Sequence, residues 1–173
     1  MDNKLFVAII LLSIFGGCSK GVPSQAVNMD LNSDGKDDVF YESAEDGSTG
    51  YYELSDRNFD GSVDQTVFFD SQNKPIFARL DNNFDERLDS VVTYENYNIT
   101  RVLIDTNANW IFDSEIKYDQ GVMASSTHFE SHTNKLTEYK YKFGLPYLSR
   151  NMEIEKTEQE FHESLNSKIQ LNR

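Results

Sequence analysis

Asp56-Arg57-Asn58-Phe59-Asp60-Gly61-Ser62-Val63-Asp64-Gln65-Thr66-Val67-Phe68-Phe69-Asp70 carries two patterns back to back. Its first nine residues place an oxygen-bearing side chain at positions 1, 3, 5 and 9, with glycine at position 6. The remainder reads as a strand, with Val67 and Phe69 two residues apart on one face. The nine-residue pattern recurs along the chain. Asp30-Leu31-Asn32-Ser33-Asp34-Gly35-Lys36-Asp37-Asp38 precedes it. Asp81-Asn82-Asn83-Phe84-Asp85-Glu86-Arg87-Leu88-Asp89 and Asp105-Thr106-Asn107-Ala108-Asn109-Trp110-Ile111-Phe112-Asp113 follow it. A decayed fifth copy runs from Glu130 through His132 and Asn134 to Glu138. The starts lie 26, 25, 24 and 25 residues apart, so one unit of about 25 residues is repeated.

Between the loops the pattern changes to strand pairs. Asp64 is followed by Val67-Phe68-Phe69, a turn at Ser71-Gln72-Asn73-Lys74, and Pro75 to Leu80. Asp89 is followed by Val91 to Glu95, a turn around Asn96-Tyr97-Asn98, and Ile99 to Ile104, and Asp113 by a comparable pair hinged at Gln120-Gly121. Three and five residues past each closing position come Val67 and Phe69, Val92 and Tyr94, Ile116 and Tyr118, and Tyr141 and Phe143. A period of two puts each pair on one face of its strand. Each unit is therefore one loop plus one β-hairpin. The expected fold is all-β: an antiparallel meander of about ten strands, all its loops along one end, either open and curved or closed into a barrel.

The loop chemistry points to a hard cation. Ligands would be Asp30, Asn32, Asp34 and Asp38; Asp56, Asn58, Asp60 and Asp64; Asp81, Asn83, Asp85 and Asp89; and Asp105, Asn107, Asn109 and Asp113. Position 7, occupied by Lys36, Ser62, Arg87 and Ile111, varies freely because it would contribute a backbone carbonyl. Calcium accepts six to eight oxygens in flexible geometry, whereas magnesium demands a strict octahedron and holds its water, so Ca2+ is the expected cofactor. Position 6 must turn sharply, which suits Gly35 and Gly61 and sets Glu86 against positive φ. By ligand count the first two loops are the strongest, the fourth is weaker with two carboxylates, and the fifth should bind nothing. The competing reading is that these residues only cap turns by bonding their own backbone. The pattern resembles the first nine positions of an EF-hand, and more closely the calcium loops of integrin-type propellers and thrombospondin repeats. An EF-hand also needs a bidentate Glu at position 12, where this chain has Tyr41, Val67, Val92 and Ile116. The resemblance therefore implies ligands at positions 1, 3, 5, 7 and 9, with water or a neighbouring repeat completing the shell.

The termini differ from the repeats. Leu5 to Phe15 is an apolar run of 11 residues interrupted only by Ser13, too short to span a bilayer comfortably but of signal-peptide length. It leads into Phe15-Gly16-Gly17-Cys18, which resembles the lipobox of bacterial lipoproteins. The resemblance implies a signal peptide over 1–17, acylation of Cys18, and delivery to the outer membrane, since Ser19 and not Asp follows the cysteine. Residues 18–29 read as a tether, 30–145 as the five-repeat domain, and 146–173 as a helical segment. In that last segment Ile154, Phe161, Leu165 and Ile169 form an apolar stripe, for packing on the sheet or docking to a partner.

Charge narrows the function. The chain of 173 residues carries a formal −13, which excludes a nucleic-acid binder for want of a basic face. Residues 30–119 hold 21 acidic and 7 basic side chains, and the remainder 8 and 9, so the acidity belongs to the repeats. The single cysteine permits no intrachain disulfide. His128 and His132 have helical zinc spacing but fall on strand and turn, and no nucleophile elbow or phosphate loop is present, so no enzyme is expected. Trp110 is read as a buried plug in preference to an exposed binding aromatic. The expectation is a calcium-binding, lipid-anchored cell-envelope protein, a structural or adhesion module meeting an envelope protein or glycan. The alternative is a periplasmic accessory lipoprotein with metal-free turns, binding its partner through the sheet or the C-terminal helix.

Overall fold

The computed structural model describes residues 28–44, 50–153 and 157–166. The expected signal segment, Cys18 and most of the tether lie outside them. Ten strands follow one another in a single antiparallel sheet whose spatial order is the chain order. They are β1 (Val39–Ser43), β2 (Tyr51–Ser55), β3 (Gln65–Phe69), β4 (Pro75–Leu80), β5 (Ser90–Glu95), β6 (Asn98–Ile104), β7 (Ser114–Asp119), β8 (Val122–Glu130), β9 (Lys135–Lys142) and β10 (Leu145–Glu153). The sheet is open, with β1 and β10 at its edges. Among the described residues the one helix, α1 (Glu158–Asn166), is not long and apolar enough to cross a membrane.

The hairpins alternate with the nine-residue loops, so short turns gather at one end of the sheet and loops at the other. Three of the turns are two-residue connections with both residues at positive φ: Asn96-Tyr97 (49° and 67°), Gln120-Gly121 (51° and 80°) and Phe143-Gly144 (54° and 76°). That backbone matches the right-handed twist of the strands it joins. At the β3–β4 turn, Asp70 instead accepts bonds from the amides of Gln72 (2.8 Å) and Lys74 (2.9 Å).

Alternation in the strands builds a core on each face of the sheet. Val102 pairs with Val92 and Ile116, while its neighbour Leu103 pairs with Val91 and Glu115 and points the other way. On the first face, Val67, Ala78, Leu80 and Val92 are buried with Tyr51 and Phe69, flanked by Tyr41, Tyr94, Ile99 and Val102. Tyr51 stacks on Phe69 at 5.0 Å between ring centroids. On the second face, Leu103 and Phe129 are buried together with Phe161 and Leu165 of α1. The helix therefore covers the β6–β8 end of a sheet whose other half has its core on the opposite side.

Three expectations need correction. The segment after residue 145 does not start as a helix: β10 continues to Glu153, because its register with β9 runs from Leu145 opposite Lys142 to Glu153 opposite Lys135. Helix begins only at Glu158, where Thr157 caps it: its Oγ1 accepts the Glu160 amide at 3.2 Å while Glu160 accepts the Thr157 amide at 2.7 Å. Phe143 is not on the core face. Strand β9 ends at Lys142, so Phe143 falls in the turn and is 89% exposed. The fifth copy is not a loop, since Lys135 to Glu138 already belong to β9 and only a short turn remains.

Tyr94 adds a testable detail. Its hydroxyl is buried with no hydrogen-bond partner among the described residues, and burial pushes its pKa up to about 12. An unsatisfied polar group costs more than the bond it fails to make. Tyr94→Phe should therefore stabilise the fold by about 0.5–1 kcal/mol in urea denaturation. A lower unfolding midpoint would show that the hydroxyl has a partner after all.

Candidate functional site

Each loop leaves one strand, crosses the end of the sheet and enters the next, and all four share one backbone course. Position 4 takes positive φ in Ser33 (64°), Phe59 (65°), Phe84 (60°) and Ala108 (59°), and position 6 in Gly35 (88°), Gly61 (97°), Glu86 (67°) and Trp110 (70°). Glycine at position 6 is thus a convenience of the first two loops, and the turn survives its loss. The left-handed conformation costs a side chain about 1–2 kcal/mol. Glu86→Gly should recover about 1 kcal/mol of stability. Gly61→Ala should lose a similar amount, purely through the backbone, because an added Cβ would meet nothing within 4 Å. Urea midpoints moving in the same direction for both variants would contradict this account.

The carboxylates organise these turns. The position-1 Asp wraps the amides that follow it: Asp56 Oδ1 accepts from Phe59 at 2.7 Å and its Oδ2 from Gly61 at 2.7 Å. Asp30 does the same with Ser33 (2.6 Å) and Gly35 (2.9 Å). The position-9 Asp reaches back to position 2, as Asp38 does to Leu31 and Asp64 to Arg57, both at 2.7 Å. Position 3 accepts the amide of position 5, and position 5 the amide of position 7, in Asn58–Asp60 (3.0 Å) and Asp60–Ser62 (2.8 Å). The third loop repeats the arrangement with Asp81, Asn83, Asp85, Arg87 and Asp89.

Neighbouring loops are joined through their backbones. The amides of Asp56, Asp81 and Asp105 donate to the carbonyls of Asp38 (2.8 Å), Asp64 (2.7 Å) and Asp89 (2.8 Å), so position 1 of each loop is fixed to position 9 of the loop before. Side chains reinforce the stacking. Arg57 donates to the Asp81 carbonyl and lies over the Phe84 ring at 5.2 Å, and Arg87 covers Trp110 at 4.1 Å. Trp110 is consequently no buried plug: it is 66% exposed, because the turn at position 6 throws its side chain outward. Between the first two loops a cleft of about 280 Å3 is lined by Asp34, Lys36, Asp38, Asp56 and Phe59 among others.

Asp38, Asp56, Asp64, Asp81, Asp105 and Asp113 are buried along this end of the sheet. Asp30 is exposed, Asp89 half-buried, and the residues at positions 3 and 5 are exposed apart from the half-buried Asn58. Among the described residues no lysine or arginine forms an ion pair with any loop aspartate. His128 Nδ1 lies 3.8 Å from Asp113 and is hydrogen-bonded with the Ser114 hydroxyl at 2.7 Å. His132 lies instead beside Glu130, so the two histidines share no site. Burial pushes the Asp113 carboxyl up, against the pull of bonds from Thr106 and Ser114 and of His128. A raised folded-state pKa stabilises while the group is protonated, below the ordinary carboxylate range, and that contribution is lost as pH rises through the raised value. A cation at the loop would reverse the preference. Asp60, which is fully exposed, is shifted the other way by the bond from Asn58.

The donor set fits calcium in kind: carboxylate, amide and carbonyl oxygens with no sulfur or imidazole. As they stand, the carboxylates are directed onto backbone amides. Among the described residues no three acidic, His or Cys side chains gather closely enough to hold an ion by themselves. Two features escaped the pattern reading. Positive φ at position 4 has no signal in Ser33, Phe59, Phe84 and Ala108, which share no residue preference for it. Glu158 of α1 accepts bonds from the amides of Asn107 (3.0 Å) and Asn109 (3.1 Å), from 51 and 49 residues away. No family description, no curated protein and no solved structure matches the chain.

Proposed function

We propose that the chain is a calcium-binding, lipid-anchored cell-envelope protein that serves as a structural or adhesion-type binding module. The observation that carries this reading is the row of six buried aspartates whose carboxylates pair with no lysine or arginine among the described residues. Buried charges are ordinarily paired or bound to metal, because leaving water costs each several kcal/mol. The aspartates at positions 1 and 9, the asparagine at position 3, the aspartate at position 5 (Asn109 in the fourth loop) and the carbonyl at position 7 would hold each ion. Binding would draw together carboxylates that otherwise repel, and stiffen the loop end of the sheet. The anchor rests on the lipobox resemblance of Cys18, and the module's partner would be an envelope protein or a glycan.

Isothermal calorimetry tests the reading. Two tighter sites from the first two loops are expected, and Asp38→Ala and Asp64→Ala should each remove about one, while Glu138→Ala removes none. Absence of calcium heat in the intact chain would reject it. One observation favours the second reading, of metal-free turns: the carboxylates already satisfy the backbone amides of their own loops. Under that reading the calorimetric signal is nil and the exposed sheet face carries the binding, since Phe161 and Leu165 of α1 are buried against the sheet. Ile154 and Ile169 lie outside the described residues.

A further inference from the structure

The open sheet ends in two edges that fit one another. On β1, the N–H and C=O of Val39 both face away from β2, since they bond Met29 at 3.1 and 2.9 Å. Alternation turns the N–H and C=O of Tyr41 and Ser43 the same way, and no other segment of the described chain pairs with them. At the far edge β10 bulges between Pro146 and Leu148 and then keeps a regular register to Glu153, with residues 149–153 all exposed. Proline and bulge blunt its first half, and the five residues beyond are as many as β1 has. Ten antiparallel strands in chain order make β1 and β10 run in opposite directions. A second copy in the same orientation therefore sets its β1 antiparallel to β10, and the meander continues with all loops at one end. β1 leaves the loop end and β10 returns to it, so level ends place Glu153 against Val39, Met152 against Phe40 and Arg150 against Glu42. Cross-strand partners trace Glu42 and Arg150 to the same face of the sheet, the one that carries α1. Both are exposed, and neither forms an ion pair with a described residue. The surroundings agree in sign: residues 28–44 hold five acidic side chains and one basic, residues 135–153 four basic and two acidic.

We propose that copies of this chain associate head to tail, β10 of one pairing with β1 of the next, with Arg150 opposite Glu42 and Met152 opposite Phe40. Main-chain bonds to Tyr41 and Ser43 supply the attraction, as in strand addition generally, and the Arg150–Glu42 pair fixes partner and register. Two β10 edges would instead bring two basic segments together. Because the joined surfaces differ, each added copy leaves one edge of either kind free, so growth does not stop at two. The proposal stands apart from the calcium reading, since neither Glu42 nor Arg150 belongs to a loop.

Sedimentation velocity of the full-length chain, over a concentration series at low salt with calcium present, reads the assembly. The wild type should pass from monomer to species larger than a dimer. Arg150→Glu alone and Glu42→Arg alone each set like charges opposite one another, and each should weaken association about tenfold. The double variant puts opposite charges back at every junction, and an equimolar mixture of the two single variants does so between unlike copies. Both should return to the wild-type behaviour. Association through an acyl anchor or an apolar patch would ignore these charges, so equal association of the wild type and the single variants would overturn the proposal. A wild type that stays monomeric, growth that ends at a dimer, or a loss that neither the double variant nor the mixture rescues would overturn it as well.

Discussion

Calcium added to chelator-treated protein should raise the melting temperature by on the order of 10 °C, while equal magnesium should move it far less. Stabilisation by a ligand that binds only the folded chain grows as the logarithm of its excess, and at a hundredfold excess over Kd it is about 2.7 kcal/mol per site. In a domain of this size each kcal/mol shifts the melting temperature by about 2–4 °C. The first two loops alone therefore account for the expected rise. Its physical source is the buried row of Asp38, Asp56, Asp64, Asp81, Asp105 and Asp113, whose carboxylates are held by amides and hydroxyls and, among the described residues, pair with no lysine or arginine. Acid should diminish the calcium effect, because protonated carboxylates no longer bind the ion. Superimposable melts in calcium and in chelator would remove the basis for the proposed function.

Phe129→Ala should be the most damaging single core substitution, costing about 3–5 kcal/mol. Phe129 is 1% exposed, stacks on Phe161 and touches the cluster formed by Leu103 and Leu165. Its amide also donates to the Asp113 carbonyl at 2.8 Å, tying it to the closing residue of the fourth loop. Truncation leaves a cavity between sheet and helix that neither side can fill, since α1 is short and held by few apolar contacts. Amide exchange in α1 should rise with the loss of stability. The first face, built on Val67, Ala78 and Val92, lies on the other side of the sheet, so calcium heats at the first two loops should persist below the new unfolding transition. A urea midpoint within experimental error of wild type would show that α1 contributes little to this core.

The meander could be read in the sequence because its unit is local. A loop of nine residues and a hairpin of about 16 carry their own turn chemistry, and Val67, Phe69, Val92 and Ile116 mark the buried face by spacing alone. The loop residues were legible for the same reason: side chains at positions 1, 3, 5 and 9 bond amides a few residues away. Where local signals were weak the reading slipped. Leu145 to Glu153 has no clean alternation, and only pairing with β9 makes it a strand. Trp110 looked like a plug because a large aromatic in a loop is usually covered, but positive φ at position 6 sends it outward under Arg87.

By itself the sequence determined the number of repeats, the alternation of loop and hairpin, and the oxygen donors of each loop, all of which depend on residues within one unit of about 25. Tertiary structure decided that the sheet stays open, that its cores lie on opposite faces at its two ends, and that α1 brings Glu158 to the fourth loop. The physical reason is range. Turns and alternation are set by neighbours along the chain, whereas closure of a sheet and the seating of a helix follow from the sum of its twist and packing over many strands.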